Sequence, residues 1–404
     1  MRLLGTLVLS LSLISITAIT MTFAQSSKQI IKNGPDAGLP FSPAVKAGGL
    51  IYVSGTLPTN ATGQVVSGGI KAQTRQVLDN VASVLQAGGS SLANAASMTV
   101  YLRSVDDFAA MNEVYRTYWP KDPPARTTVM VTAPFAWPDA LVEISAIAVP
   151  AGGERAVVHP ADWMVSPNPY SYGIKSGNTL LLSGLVSRNG KDNSVVKGDV
   201  AAQTKTVLDN GAAILNAAGM SYADVVSARV FVTDTSTFQA MNTAYRSYFP
   251  AAPPARATVK AGLMGSDYLV EITMVAVKDA SRTVVTTPNA DGTPGTPNPN
   301  LSAAIRVGNR LYVSGVLGAT AANTDVVAQT KETLARIGRT LKAGGFDWQD
   351  VVDGVVYLPD MTRFPQMNLV YRDVLTKDFP ARATVGVGLM NADALVEIMM
   401  TAVK

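Results

Sequence analysis

Three arginines stand at the mouths of strand-like runs in near-identical settings: "PPARTTV" around Arg126, "PPARATV" around Arg256 and "FPARATV" around Arg382. A guanidinium keeps its charge at physiological pH, and its planar fork of N–H donors matches a carboxylate in two parallel hydrogen bonds. Glu143, Glu271 and Glu397 sit inside nearly continuous apolar runs, "LVEISAIAV", "LVEITMVAV" and "LVEIMMTAV". A carboxylate buried there needs a donor, or it takes up a proton. Asn112, Asn242 and Asn368 lie beside an apolar helical stripe, and Ser54, Ser183 and Ser314 each close a strand just before a glycine. The set supports two readings. In one, arginine pairs with glutamate while asparagine and serine close backbone hydrogen bonds. In the other, the guanidinium faces a cleft between neighbouring copies and waits for a substrate carboxylate.

The elements that must position these groups recur three times. "QTRQVLDNVASVLQAGG" (73–89) returns as "QTKTVLDNGAAILNAAG" (203–219) and "QTKETLARIGRTLKAGG" (329–345). "FAAMNEVYRTYWP" (108–120) returns as "FQAMNTAYRSYFP" (238–250) and "FPQMNLVYRDVLT" (364–376). The period is that of a small domain, so each copy reads as a domain: 25–150, 163–279 and 299–404, with linkers at 151–162 and 280–298. The Pro-, Gly-, Thr- and Asn-rich second linker reads as an extended tether.

Within a copy, "VKAGGLIYVSG" reads as two strands around Gly-Gly. Val77, Leu78, Val81, Val84 and Leu85 make one helical stripe; Phe108, Met111, Tyr115 and Tyr118 make a second, ended by Pro120. The expected fold is α+β, β-β-α-β-α-β-β, with both helices on one face of a mixed sheet. The last strand is apolar on both sides, so the other face also needs cover. Three such faces packed together would supply it, which predicts a monomer built as an intramolecular pseudo-trimer.

The bulk composition excludes several chemistries. Among 404 residues there is no cysteine and one histidine, His159, read as a linker residue. Disulfides, thiolate catalysis and a zinc site of the usual ligands are therefore not expected. The net charge of +4 comes without a Lys/Arg run of the kind that tracks phosphates, so nucleic acid is not an expected partner. The opening "MRLLGTLVLSLSLISITAITMTFAQSS" reads as an export signal over 1–24, cut before Gln25. The expected location is periplasmic or extracellular; an uncleaved N-terminal anchor is the alternative.

"GLPFSPAVKAGGLIYVSG", "MNEVYRTYWP", "PPARTTV" and "LVEISAIAV" together resemble the RidA/YjgF family of reactive-intermediate deaminases, and the resemblance spans all three copies. It implies a chorismate-mutase-like fold, trimeric assembly with a site in each intersubunit cleft, and hydrolysis of 2-imino or 2-enamino acids to 2-oxo acids and ammonia without metal or organic cofactor. It also implies that Arg126, Arg256 and Arg382 bind the substrate carboxylate and that Glu143, Glu271 and Glu397 position the attacking water. The site serine falls on Ser54, Ser183 and Ser314, and the site asparagine on Asn112, Asn242 and Asn368. The family tyrosine, thirteen residues before the serine, is present as Tyr170 but replaced by Phe41 and Leu301; a frequent cysteine is replaced by Thr128, Thr258 and Thr384. Three unequal clefts are therefore expected, the one lined by Tyr170 nearest the family pattern. A non-catalytic binder of small carboxylic acids using the same clefts is the alternative.

Overall fold

The computed structural model describes residues 28–34, 38–320, 322 and 324–404. The expected export signal lies outside them. In the first copy, strands β1 (Gln29–Ile31), β2 (Ala44–Ala47) and β3 (Leu50–Thr56) precede helix α1 (Gly69–Ala87). Strand β4 (Ala95–Leu102), helix α2 (Phe108–Tyr118), β5 (Ala125–Met130) and β6 (Val142–Ala148) complete it. The sheet order is β1-β2-β3-β6-β4-β5, with β4 and β5 parallel. Gly48 and Gly49, at φ 56° and 78°, supply the left-handed turn that lets β2 fold directly onto β3. The other two copies repeat this topology, so the expected β-β-α-β-α-β-β unit is present three times.

Strand alternation divides each sheet into two faces. On β4, Met98, Val100 and Leu102 pack with Val77, Leu78, Val81, Val84 and Leu85 of α1 in a core belonging to one copy. Tyr101 points the other way and joins Phe231 and Tyr357 in a core shared by all three copies. The bare sheet faces therefore bury one another, with the helices outside, as an intramolecular pseudo-trimer. The hydrophobic gain is what offsets holding three domains in one arrangement.

The seams repeat with threefold regularity. Gly262–Leu263 of copy 2 pairs with β5 of copy 1, and Gly388–Leu389 of copy 3 pairs with Ala255–Lys260 of copy 2. The third seam is closed by the Thr132 N–H donating to the Gly386 carbonyl at 2.8 Å. The inter-copy segments are more than tethers. Ala156–Val158 and Thr283–Val285 are edge strands equivalent to β1, paired with Gly173–Ser176 and Ala304–Val307. A cation at the start of each copy grips the preceding one. Arg155 donates to the carbonyls of Ala95 and Asp122, and Arg282 to those of Val225 and Ala252. Lys28 donates to those of Val351 and Asp378 of copy 3. The seam with no covalent link is thus built like the two that have one.

Because each inner face is already covered, the chain is expected to be a monomer in solution. Light scattering behind size exclusion should return the mass of one chain across a hundredfold dilution; a mass of three chains would show that the faces are satisfied between molecules.

Candidate active sites between neighbouring copies

The dipeptide before the Ala-Arg pair, Pro123-Pro124, Pro253-Pro254 or Phe379-Pro380, presents two carbonyls to the adjoining copy. Ser171 Oγ donates to the Pro123 carbonyl, Ser302 Oγ to Pro253 and Ser42 Oγ to Phe379, each at 2.6 Å. The backbone N–H groups of Ser171, Ser302 and Ser42 donate to the next carbonyls, those of Pro124, Pro254 and Pro380. These three serines went unnoticed in the sequence. Their signal is a serine twelve residues before the site serine in every copy.

Ser183 Oγ donates to the Ser171 carbonyl at 2.6 Å and accepts the Arg126 backbone N–H at 2.8 Å. Ser314 does the same between Ser302 and Arg256, and Ser54 between Ser42 and Arg382. The serines expected to bind substrate are buried, and here each hydroxyl fixes the neighbouring copy's arginine at the cleft. This settles the pairing that the sequence left open. Copy 1 arginine meets copy 2, copy 2 meets copy 3, and copy 3 meets copy 1.

The glutamate arrives from the serine-bearing copy. Gly55, Gly184 and Gly315 follow the serines because a Cβ at each would overlap the carboxylate of Glu143, Glu271 or Glu397. The same hypothetical Cβ atoms would touch Ala383, Thr127 and Ala257, each next to the neighbouring copy's arginine. Entry to the glutamate strand is pinned by a buried glutamine of the "QT" motif. Gln73 accepts the Leu141 N–H and donates to the Asp139 carbonyl; Gln203 and Gln329 repeat this at Leu269 and Leu395.

Each arginine side chain is 4% exposed or less. It lies on the ring of a tyrosine from its own second helix: Arg126 at 4.8 Å from Tyr115, Arg256 at 4.7 Å from Tyr245 and Arg382 at 4.6 Å from Tyr371. The sequence placed Tyr115 only in the apolar stripe; its helical spacing carried no hint of the guanidinium above it. Asn242 and Asn368 accept from the Nη2 of Arg256 and Arg382 at 2.6 and 2.7 Å. Asn112 instead turns its amide toward Asn168 of copy 2, leaving its own oxygen without a partner. Nη1 of all three arginines and Oη of all three tyrosines are buried without a hydrogen-bond partner. Among the described residues, none of the three arginines forms an ion pair within 4 Å. The reading in which arginine and glutamate neutralise each other by direct contact is thus not what the fold builds.

Burial raises Glu143, Glu271 and Glu397 to about 8, opposed by Arg382, Arg126 and Arg256 respectively. For Glu271 a backbone hydrogen bond from Thr128 opposes burial as well. Burial lowers the arginines, Arg382 to about 10, which leaves it cationic at neutral pH. Each cleft therefore holds a buried cation with spare donors beside a carboxyl that is mostly protonated at neutral pH.

The clefts differ where expected. Tyr170 flanks Arg126 at 5.8 Å, and Phe41 flanks Arg382 at 5.5 Å. Pro167, on the loop leading to Tyr170, accepts a hydrogen bond from Arg116 of copy 1. His159 stands apart, packed 5.5 Å from the Tyr172 ring.

The family described as Endoribonuclease L-PSP matches residues 31–150, 163–278 and 295–404. A RutC family protein of Pyrococcus horikoshii is 44% identical over 124 residues, covering 30% of this chain and 97% of its own length. A 3-aminoacrylate deaminase RutC of Acinetobacter baylyi is 40% identical over 124 residues, covering 30% and 97%. The solved YjgF gene product of E. coli is 34% identical, covers 30% of this chain and 98% of its own, and has a TM-score of 0.29. One whole relative thus corresponds to one copy.

Two outcomes follow from the geometry. Ser314→Ala should leave the Arg256 N–H and the Ser302 carbonyl without their partner, costing about 1–3 kcal/mol per buried group, read as a lower urea midpoint. The glutamates titrate from an ordinary value of 4.5 to about 8 on folding, so the folded chain holds protons that the unfolded chain releases. The associated stability is complete below about 4.5 and lost as pH rises through 8. Melting temperature should fall between pH 5 and pH 8, and a Glu143→Gln, Glu271→Gln, Glu397→Gln triple variant should flatten that slope.

Proposed function

The chain belongs to the endoribonuclease L-PSP (RidA/YjgF) family, with three copies of its domain in tandem, and from that premise we propose that it hydrolyses 2-imino or 2-enamino acids to 2-oxo acids and ammonia. The observation that carries this reading is the buried guanidinium with unpartnered Nη1 in every cleft. A buried cation without a counterion is costly, and a substrate carboxylate would offset that cost with two charge-assisted hydrogen bonds. A relative named for deamination of 3-aminoacrylate, an enamino acid with its nitrogen on C3 rather than C2, supports the reaction type.

The residues present suit such a reaction. Arginine anchors the carboxylate, which fixes the adjacent imine carbon against the glutamate of the neighbouring copy. The neutral carboxyl donates its proton to the imine nitrogen, and the carbon becomes more electrophilic. The carboxylate so formed takes a proton from water as its oxygen bonds to that carbon. That step returns the glutamate to its protonated form. It then donates its proton to the carbinolamine nitrogen and takes the hydroxyl proton as the carbon–nitrogen bond breaks, so that ammonia leaves, the 2-oxo acid forms and the glutamate ends protonated. The phenols of Tyr115, Tyr245 and Tyr371 offer a further donor at each site.

Arg126→Ala should lower turnover of freshly generated 2-iminopropanoate more than Arg256→Ala or Arg382→Ala, because its cleft alone carries Tyr170. The triple variant should lose roughly 10²-fold or more while keeping its circular dichroism. Wild-type protein that binds pyruvate but leaves imine hydrolysis at the spontaneous rate would instead mark a carboxylic-acid binder. We also propose export: mature protein recovered from outside the cytoplasm should begin at Gln25, and an N-terminus still at Met1 in a membrane fraction would show an anchor.

A further inference from the structure

The three inner faces do not close fully on the pseudo-threefold axis. They leave a cavity of about 90 Å³ lined from all copies, among others by Thr99, Thr179, Arg229, Tyr312, Asp353 and Thr401. A water occupies about 10–15 Å³ by this measure, so the space accommodates several waters or one small organic molecule. The cleft arginines and glutamates do not line it.

Strand register identifies equivalent positions around the axis. Ser97, Ser227 and Asp353 pair with Ala125, Ala255 and Ala381; Thr99, Arg229 and Val355 pair with Thr127, Ala257 and Ala383. In an assembly of identical chains, a charge at either position would appear three times around one axis and repel itself. Covalent fusion removes that constraint, and this chain places one guanidinium and one carboxylate there. The two form no ion pair with each other within 4 Å. Arg229 Nη2 donates to Thr99 Oγ1 at 2.9 Å. At the hairpin end, Arg310 of copy 3 donates to Thr179 Oγ1 of copy 2 at 2.7 Å and to the Gly48 carbonyl of copy 1 at 2.5 Å. That single side chain ties the three hairpins together at the axis.

We propose that the axial cavity is a second small-molecule site, separate from the clefts, that takes a small zwitterion: an α-amino acid with a side chain no larger than that of serine. Its carboxylate meets Arg229 and its ammonium meets Asp353, with the surrounding hydroxyls of Ser97, Ser227 and Thr401 serving the remaining donors and acceptors. A simple carboxylate or amine engages one pole only, whereas a zwitterion engages both, so the cavity selects for the zwitterion.

Titration calorimetry on the full chain with glycine and L-alanine tests this. Saturable binding at one molecule per chain is expected, with acetate and methylamine at least tenfold weaker. Asp353→Asn and Arg229→Gln should each weaken L-alanine at least tenfold while leaving pyruvate binding unchanged. No saturation, three molecules per chain, or equal affinity in both variants overturns the proposal. A crystal soaked in L-alanine decides the matter should either variant fail to fold. Density for the amino acid between Arg229 and Asp353 supports the site, and ordered waters alone refute it.

Discussion

A single hydroxyl, shared across a seam, sets the geometry of each cleft. Serine donates within its own copy and accepts the arginine backbone N–H of the next, and both bonds are buried. Because the serine is followed by the glycine that the glutamate overlies, this contact also brings one copy's carboxyl beside another copy's guanidinium. The double proline strengthens the arrangement from the other side. In copies 1 and 2 it offers carbonyls without competing N–H groups, Phe379-Pro380 takes its place in copy 3, and in each case the neighbouring copy's serine donates to both carbonyls.

That construction leaves a deliberate imbalance. The guanidinium is buried on a tyrosine ring with spare donors, and burial pushes the facing carboxyl up to about 8. Had the two met as an ion pair, the fold would gain a satisfied contact and the guanidinium would keep no spare donors. Functional sites commonly retain strain or unpaired charge that the rest of the fold must offset. Here the shared apolar core around Tyr101, Phe231 and Tyr357 supplies that support.

Joining the copies in one chain frees each position from threefold repetition. Position 170 carries tyrosine while its equivalents carry phenylalanine and leucine, so the clefts differ in the group flanking arginine. The axis shows the same freedom more sharply. Arg229, Asp353 and Arg310 each occur once around it, where identical subunits would crowd three like charges together.

Much of this was readable from spacing alone. The helical stripes, the Gly-Gly hairpin, the order of elements and the arginine, glutamate, asparagine and serine quartets all depend on neighbours within a few residues or on threefold recurrence along the chain. Periodicity also required that the second sheet face be covered. What it could not show is which copy faces which. The pairing of Arg126 with Glu271, of Arg256 with Glu397 and of Arg382 with Glu143 arises from sheets packed across more than a hundred residues of sequence. The same holds for the Ser42, Ser171 and Ser302 clamps, the tyrosines beneath the guanidiniums, the edge strands within the inter-copy segments and the axial cavity. Local backbone and side-chain preferences write the elements into the sequence, whereas contacts between distant elements exist only once packing has chosen their register.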